Sequence, residues 1–226
     1  MTMIGDNLQR VHARIAAACA DAGRRVEDVT LLAVSKTFGP EAVREARDAG
    51  QLAFGENYIQ EAVEKIALLQ DLALQWHCIG PIQSNKTRLV AENFDWAHSV
   101  DRLKIAERLD EQRPENLGPL NVCIQVNIDG GAAKSGVSPH EALVLALAVS
   151  RMPRLRLRGI MTIPEPQADF AAQKAVHGKA RDLFDDMQSA GLDVDTLSMG
   201  MTADLEAAIH AGSTMVRIGT AIFGGR

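Results

Sequence analysis

The feature that most constrains this chain is an alternation that repeats eight times. A short β-rich run gives way each time to a new turn and, in most cases, to a longer amphipathic run. The β-like runs are TLLAVSK, QLAFGEN, LQWHCIGP, FDWAHSV, NVCIQVNI, LRLRGIMTI, DTLSMGM and TMVRIGTAIFG. Between them GPEAVREARDAG closes on Gly50, and NYIQEAVEKIALLQ follows the second run. SNKTRLVAEN opens at Ser84, DRLKIAERLDEQ at Asp101, and SPHEALVLALAVSRM carries Pro139 in its opening turn. DFAAQKAVHGKARDLFDDMQSAG stops at Gly191, and TADLEAAIHAG runs from Thr202 to Gly212. One further helix, from Asp6 to Ala22, precedes them all and stops at Gly23. Ser, Thr and Asp suit the starts because a short side-chain oxygen accepts from a free first-turn N–H. Glycine suits the stops because it enters the left-handed region at no steric cost.

Eight such units with no linker or shift in composition predict an α/β protein. The expected architecture is one closed parallel (β/α)8 TIM barrel over residues 1–226, with the extra helix at its N-terminus. An open doubly wound sheet is the alternative that the alternation alone leaves standing. No G-x-G-x-x-G follows a strand, and no Walker A motif is present.

Composition narrows the partners. The formal net charge is -5 and there is no long basic stretch, so the footprint of a nucleic-acid binder is missing. Cys19, Cys78 and Cys123 make no C-x-x-C pair, which argues against a zinc site or a disulfide framework and fits a reducing compartment. The N-terminal pattern places Arg10 and Arg14 among its apolar positions, as an amphipathic helix does and a secretion signal does not. No apolar run reaches the roughly eighteen residues of a membrane span. A soluble, cytoplasmic protein is expected.

In a parallel barrel, function sits at the C-terminal ends of the strands. Here those ends are polar: Ser35, Lys36 and Thr37, then Glu56 and Asn57, His77, His98, Asn127, Met161 with Thr162, Ser198, and Arg217 with Gly219 and Thr220. Each has an ordinary role in isolation. Lys36 alone would be a solvated surface residue, His77 beside Trp76 a satisfied core histidine, Asn57 a helix cap, and Arg217 the partner of Glu206 or Asp204. Their gathering at one end of one barrel is what points to a site.

Lys36 is the most specific of them. Leu32, Val34 and Lys36 alternate onto the inward face. A lysine in a partly desolvated mouth has a lowered pKa. A neutral amine is what a Schiff base with an aldehyde or ketone needs. In the second half, LSMGMTADLEAAI runs strand, glycine turn and helix start, with Thr202 as the expected N-cap, and VRIGTAIFGG brings Gly219 and Thr220 to the last strand end. Loops after strands seven and eight commonly cradle phosphate. Asp204 would oppose an anion there unless it points away. A Schiff-base lysine with a phosphate cradle suits either pyridoxal phosphate or an aldolase acting on a phosphosugar. Arg217 separates the two, since it is placed to reach the ring nitrogen of a pyridoxal. A cation there disfavours protonation of the ring and leaves it a weaker electron sink.

With these residues in view, the chain resembles the pyridoxal phosphate homeostasis protein family, single-domain relatives of the alanine racemase N-terminal barrel. The similarity is carried in order by LLAVSKT, FGENYIQEA, WHCIGPIQSNK, VNIDGGAAKSGV, GIMTIPEP, LSMGMTADLEAAI and VRIGTAIFGGR. The resemblance implies pyridoxal 5'-phosphate as cofactor, bound to Lys36 as a Schiff base. It implies Ser198, Gly219, Thr220 and the Met199 backbone as phosphate ligands, Arg217 at the pyridine nitrogen, and Asn57, His77 and Met161 around the ring. Thr202 stands where serine is common and Ile82 where leucine is usual; neither change removes a ligand. The resemblance further implies a carrier or regulator of cellular pyridoxal phosphate with no established reaction. PLP-dependent apo-enzymes are then the candidate recipients, with no nucleic-acid or membrane partner. Racemisation needs acid/base groups on two faces of the substrate carbon. The only tyrosine, Tyr58, lies beside Asn57 in the same barrel. A non-catalytic monomer is therefore expected. A PLP-dependent amino-acid racemase or Schiff-base phosphosugar aldolase is the alternative, and a regulatory module using Lys86 and Arg88 of SNKTRLVAEN is a third.

Overall fold

A strand covered by helices outside and by its own barrel inside must be apolar on both faces, and the eight β-rich runs have that character. In the computed structural model, which describes residues 2–131 and 134–225, all eight become strands. They are β1 (Thr30–Val34), β2 (Ala53–Glu56), β3 (Gln75–Cys78), β4 (Trp96–Val100), β5 (Leu120–Val126), β6 (Leu155–Thr162), β7 (Thr196–Ser198) and β8 (Met215–Ile218). Each pairs in parallel with the next, and β8 closes on β1 through Leu32↔Arg217 and its neighbours. The closed barrel removes the open-sheet alternative. Ala132, Ala133 and Arg226, which belong to two of the sequence blocks above, lie outside the described residues.

The helices are α1 (Met3–Asp21), α2 (Pro40–Asp48), α3 (Ile59–Leu68), α4 (Thr87–Asn93), α5 (Leu103–Gln112), α6 (Pro139–Val149), α7 (Phe170–Ser189), α8 (Leu205–His210) and α9 (Thr220–Phe223). The period-2 pattern of β1 sorts its side chains into two cores. Leu32 and Val34 join Ala53, Ile79, Trp96, Cys123, Met161 and Met215 inside the barrel. Leu31 and Ala33 pack outward against the helices. Helix α1 lies outside the ring against α2, α8 and α9. It is tied there by Asn7 Nδ2 donating to Ile222 O at 2.9 Å and by Arg14 on Glu206 at 2.9 Å.

Helix α6 starts as its sequence predicts, with a capping box between Ser138 and Glu141 and Pro139 in the first turn. Gly50 and Gly212 follow α2 and α8 with φ of +98°. Three expected caps are corrected. Ser84 begins a short 3-10 turn ahead of α4 and gives its carbonyl to Thr87 Oγ1, 3.0 Å away. Asp101 pairs with Arg102, and α5 starts two residues later. Thr202 precedes α8 by three residues, and the Asp204 carboxylate takes the Met201 N–H instead. In each case a turn inserted before the helix moves the sequence-predicted cap out of reach. Cys19, Cys78 and Cys123 are buried and free. Among the described residues no helix is long and apolar enough to cross a membrane.

Candidate functional site

The C-terminal ends of the strands surround a pocket of about 660 Å³ that contains Lys36, Asn57, Thr202, Arg217, Gly219 and Thr220 in its lining. A volume of that order suits a small organic ligand. Lys36 comes two residues after the end of β1, continues the row of Leu32 and Val34, and is exposed, with no hydrogen-bond or ion-pair partner among the described residues. The partial desolvation expected from the sequence is therefore not supplied by the protein itself.

The residues on either side of Lys36 are held firmly. Ser35 Oγ donates to Glu56 Oε1 at 2.6 Å, and Lys65 Nζ of α3 donates to the same oxygen at 2.7 Å and to Ser35 O at 3.0 Å. Thr37 N donates to Glu61 Oε1 at 2.9 Å. Thr37 has φ of +69°, a costly conformation for a β-branched residue that only a well-determined surrounding sustains. Glu56 is fully buried, and burial pushes its carboxyl above the ordinary range despite the attraction of Lys65.

Asn57 follows Glu56 at the rim. It does not cap α3, whose first turn is preceded by Tyr58 and has no side-chain cap. Its Oδ1 is buried without a partner. Gly80 holds this position from behind, because a Cβ there would collide with the Asn57 carbonyl. A buried amide oxygen left unsatisfied costs stability and marks a place for a donor.

Arg217 projects from β8 and is 4% exposed. Its Nη1 donates to Ser198 Oγ at 2.8 Å and its Nη2 to Thr162 O at 2.9 Å. Among the described residues it forms no ion pair. Glu206 is taken by Arg14, and Asp204 by His177 at 2.8 Å. Burial draws the guanidinium pKa down to about 10, which is still charged at neutral pH. A buried cation with only neutral partners is expensive to keep, and fits a ligand that offers it an acceptor. Asp204 is likewise turned aside, with one carboxylate oxygen on Met201 N and the other on His177.

Four sequence-predicted residues lie below the mouth rather than in its lining. Ser198 is fully buried, with Arg217 and His98 on its hydroxyl. Met199 sits in the outer core, and its N–H is committed to Met215 O at 3.1 Å. Both positions have one cause: β7 ends at Ser198, so the chain reaches the mouth only in the loop beyond. Met161 is in the inner core, and His77 lies deeper still, bonded to His98 and Gln75. Strand-end reasoning missed Tyr58 and Met201 as lining and gave Thr202 only a capping role. The signal for Thr202 was its place two residues after the Gly200 turn. Gly219 brings β8 close to β1, since a Cβ there would stand 3.2 Å from Val34 O.

The arrangement offers an unpaired amine for a carbonyl, two hydroxyls and a glycine backbone for an anion, and a fixed cation in the same lining. An aldehyde-bearing, phosphorylated aromatic ring fits this donor set.

The alanine racemase N-terminal domain model matches residues 7–226. The chain is 59% identical to the pyridoxal phosphate homeostasis protein of Pseudomonas aeruginosa over 100% of its own length and 97% of that protein's. It is 54% identical to the protein of that name from Escherichia coli K12, covering 100% and 98%. Among solved structures, PipY of Synechococcus elongatus with PLP bound is 37% identical, with a TM-score of 0.81 over 93% of this chain and 100% of that one. Alanine racemase of Clostridium difficile, 16% identical with a TM-score of 0.76 over 98% of this chain and 57% of that one, shares the fold.

Proposed function

The chain belongs to the pyridoxal phosphate homeostasis protein family, on the alanine racemase N-terminal barrel, and from that premise we propose that it is a non-catalytic carrier of pyridoxal 5'-phosphate. The observation that carries the reading is the pairing, in one pocket, of Lys36 and a buried Arg217 that have, among the described residues, no partner and no carboxylate respectively. When bound, pyridoxal phosphate supplies an aldehyde that a lysine amine can capture reversibly and a ring that can draw electrons from that linkage.

The protein's own residues do the rest. Lys36 supplies the amine from a backbone clamped by Glu56, Glu61 and Lys65. Arg217 presents an N–H to the ring nitrogen and, being cationic, keeps that nitrogen unprotonated. Thr202, Gly219 and Thr220 take the phosphate, with Ser198 and Met199 supporting the cradle from below. Asn57 offers its unpartnered Oδ1 to a donor on the ring, while Met161 and His77 pack underneath. An electron-poor ring needs a protonated nitrogen, so Arg217 favours holding over chemistry.

A second reading, racemisation, is favoured by one observation: Tyr58 lines the same pocket as Lys36. Its 56% exposure argues against it as a shielded acid. We place the carrier in the cytosol, where three free thiols stay reduced, as a monomeric domain over residues 1–226 that hands its cofactor to PLP-dependent apo-enzymes.

The test is a visible absorption spectrum of protein mixed with pyridoxal phosphate, before and after borohydride, beside Lys36→Ala. A yellow band that bleaches and leaves label on Lys36 is the expected result. A colourless wild type overturns the cofactor assignment. Turnover of D- or L-alanine by the yellow protein would replace carrier with racemase.

A further inference from the structure

Between the pocket and the opposite end of the barrel runs an unbroken line of polar side chains. Arg217 Nη1 lies 2.8 Å from Ser198 Oγ, and Ser198 Oγ lies 3.0 Å from His98 Nδ1. His98 Nε2 lies 2.9 Å from His77 Nδ1, and His77 Nε2 lies 3.0 Å from Gln75 Oε1. Ser198, His98 and His77 are fully buried, and only Gln75 reaches solvent, at the start of β3. We infer that Gln75, His77, His98 and Ser198 form a one-directional hydrogen-bond chain that presents an acceptor to Arg217, making His98 and Ser198 positioning residues for its contact with the cofactor ring.

The direction follows from donor and acceptor inventories. A guanidinium only donates, so Ser198 Oγ accepts from Arg217. The Ser198 hydroxyl proton then has one acceptor within reach, His98 Nδ1. His98 must therefore carry its proton on Nε2, and that proton requires His77 Nδ1 as acceptor. His77 in turn carries its proton on Nε2 and gives it to Gln75 Oε1. Every group is satisfied in this arrangement. In the reverse arrangement the Ser198 proton is buried with no acceptor, which is costly.

Both histidines must be neutral: a proton added at His77 Nδ1 would face the His98 Nε2–H, and one added at His98 Nδ1 would take away the acceptor of the Ser198 hydroxyl proton. Burial pulls His77 down to about 3 and moves His98 in the same direction. Trp96 stacks on His77 at 5.1 Å with the rings within 11° of parallel, which fixes the imidazole plane. Arg217 needs such support because no carboxylate among the described residues orients it. Its two contacts, Ser198 Oγ and Thr162 O, are both neutral.

The functional half of this inference rests on the pyridoxal phosphate reading; the tautomers do not. Long-range ¹H–¹⁵N spectra of the ligand-free protein at neutral pH should show His77 and His98 neutral and both protonated on Nε2. An Nδ1-protonated or charged form at either overturns the chain. In loaded protein, Ser198→Ala and His98→Leu should shift the visible band and speed cofactor release about tenfold. Gln75→Leu, at the solvent-facing end where folding is least at risk, should speed release by about threefold and move His77 toward mixed tautomers. Release and band unchanged in Gln75→Leu and in whichever of the buried variants folds would overturn the positioning role. A wild type that never takes up pyridoxal phosphate would sink the proposed function and leave the tautomer result to decide the chain.

Discussion

The barrel has a hollow at each end, and they are nearly equal: about 660 Å³ at the mouth and about 630 Å³ at the floor. What separates them is how far their polar groups are satisfied. At the floor, Arg158 makes two 2.8 Å contacts to Asp195 and one of 2.9 Å to Asn121, with its guanidinium over the Trp96 ring at 4.5 Å. Arg24 is spent on the carbonyls of Ile209 and Ser213, and Asp28 on Arg25. Among the buried side-chain polar atoms described in that lining, only Trp96 Nε1 lacks a partner. At the mouth, among the described residues, Lys36 has no partner, Arg217 has no anion, and the Asn57 Oδ1 is bare. Two cavities of one size thus carry opposite messages. The floor's charges tie strands together, whereas the mouth's are complete only with a ligand.

The largest test of that contrast is Lys36→Ala. It should abolish the visible band and the borohydride-trapped label while changing unfolding free energy by less than about 0.5 kcal/mol, because the side chain is exposed and unpaired. A large stability loss in urea denaturation would mean that Lys36 is structural after all. Just beneath the mouth the relation inverts. Lys65→Met leaves Glu56 buried without its cation and should lower stability by about 3–5 kcal/mol in the same assay. If that variant is as stable as wild type, the clamp under Lys36 is not a working ion pair.

Between the two ends, His77 gives a pH signature. Its folded pKa is about 3 against an ordinary value of 6.5, so below about pH 6.5 the unfolded chain takes a proton that the folded one refuses. Stability is therefore complete above that value and falls as the pH drops, by about 2 kcal/mol at pH 5 from His77 alone. His98 acts in the same sense. Urea midpoints at pH 7.5 and 5 should show the loss, and His77→Gln should flatten it; equal slopes in the two proteins would contradict a buried neutral imidazole. The smallest effect belongs to the floor. Arg158→Ala should cost about 1 kcal/mol, since Asp195 is half exposed, and leave cofactor release within about twofold of wild type. Slower or faster release beyond that would connect the floor to the mouth, with Trp96 on His77 as the link.

Much of the site could be read along the chain because its residues follow strands. The Leu32–Val34–Lys36 row and the eight β/α units depend on periods of two and on turn residues, which are local. Arg217 could be placed on the inward face of the last strand for the same reason. Its partners could not, because Ser198 and Thr162 meet it only once β6, β7 and β8 lie side by side. Ser198 and Met199 were read as ligands from their place at a strand end; one turn of loop separates them from Thr202, which lines the pocket.

By itself, then, the amino-acid order determined the alternation, the eight strand-bearing units and the lysine at the end of the first inward row. Those follow from side-chain periodicity and backbone preference, which act over a few residues. Closure of the barrel decided the rest. It chose which acceptor each buried donor meets, paired Lys65 with Glu56, denied Arg217 a carboxylate, and joined Gln75 to Ser198 through two histidines. Hydrogen bonds and charges act over a few ångströms of space whatever the distance in sequence, so only the folded barrel could set those pairings.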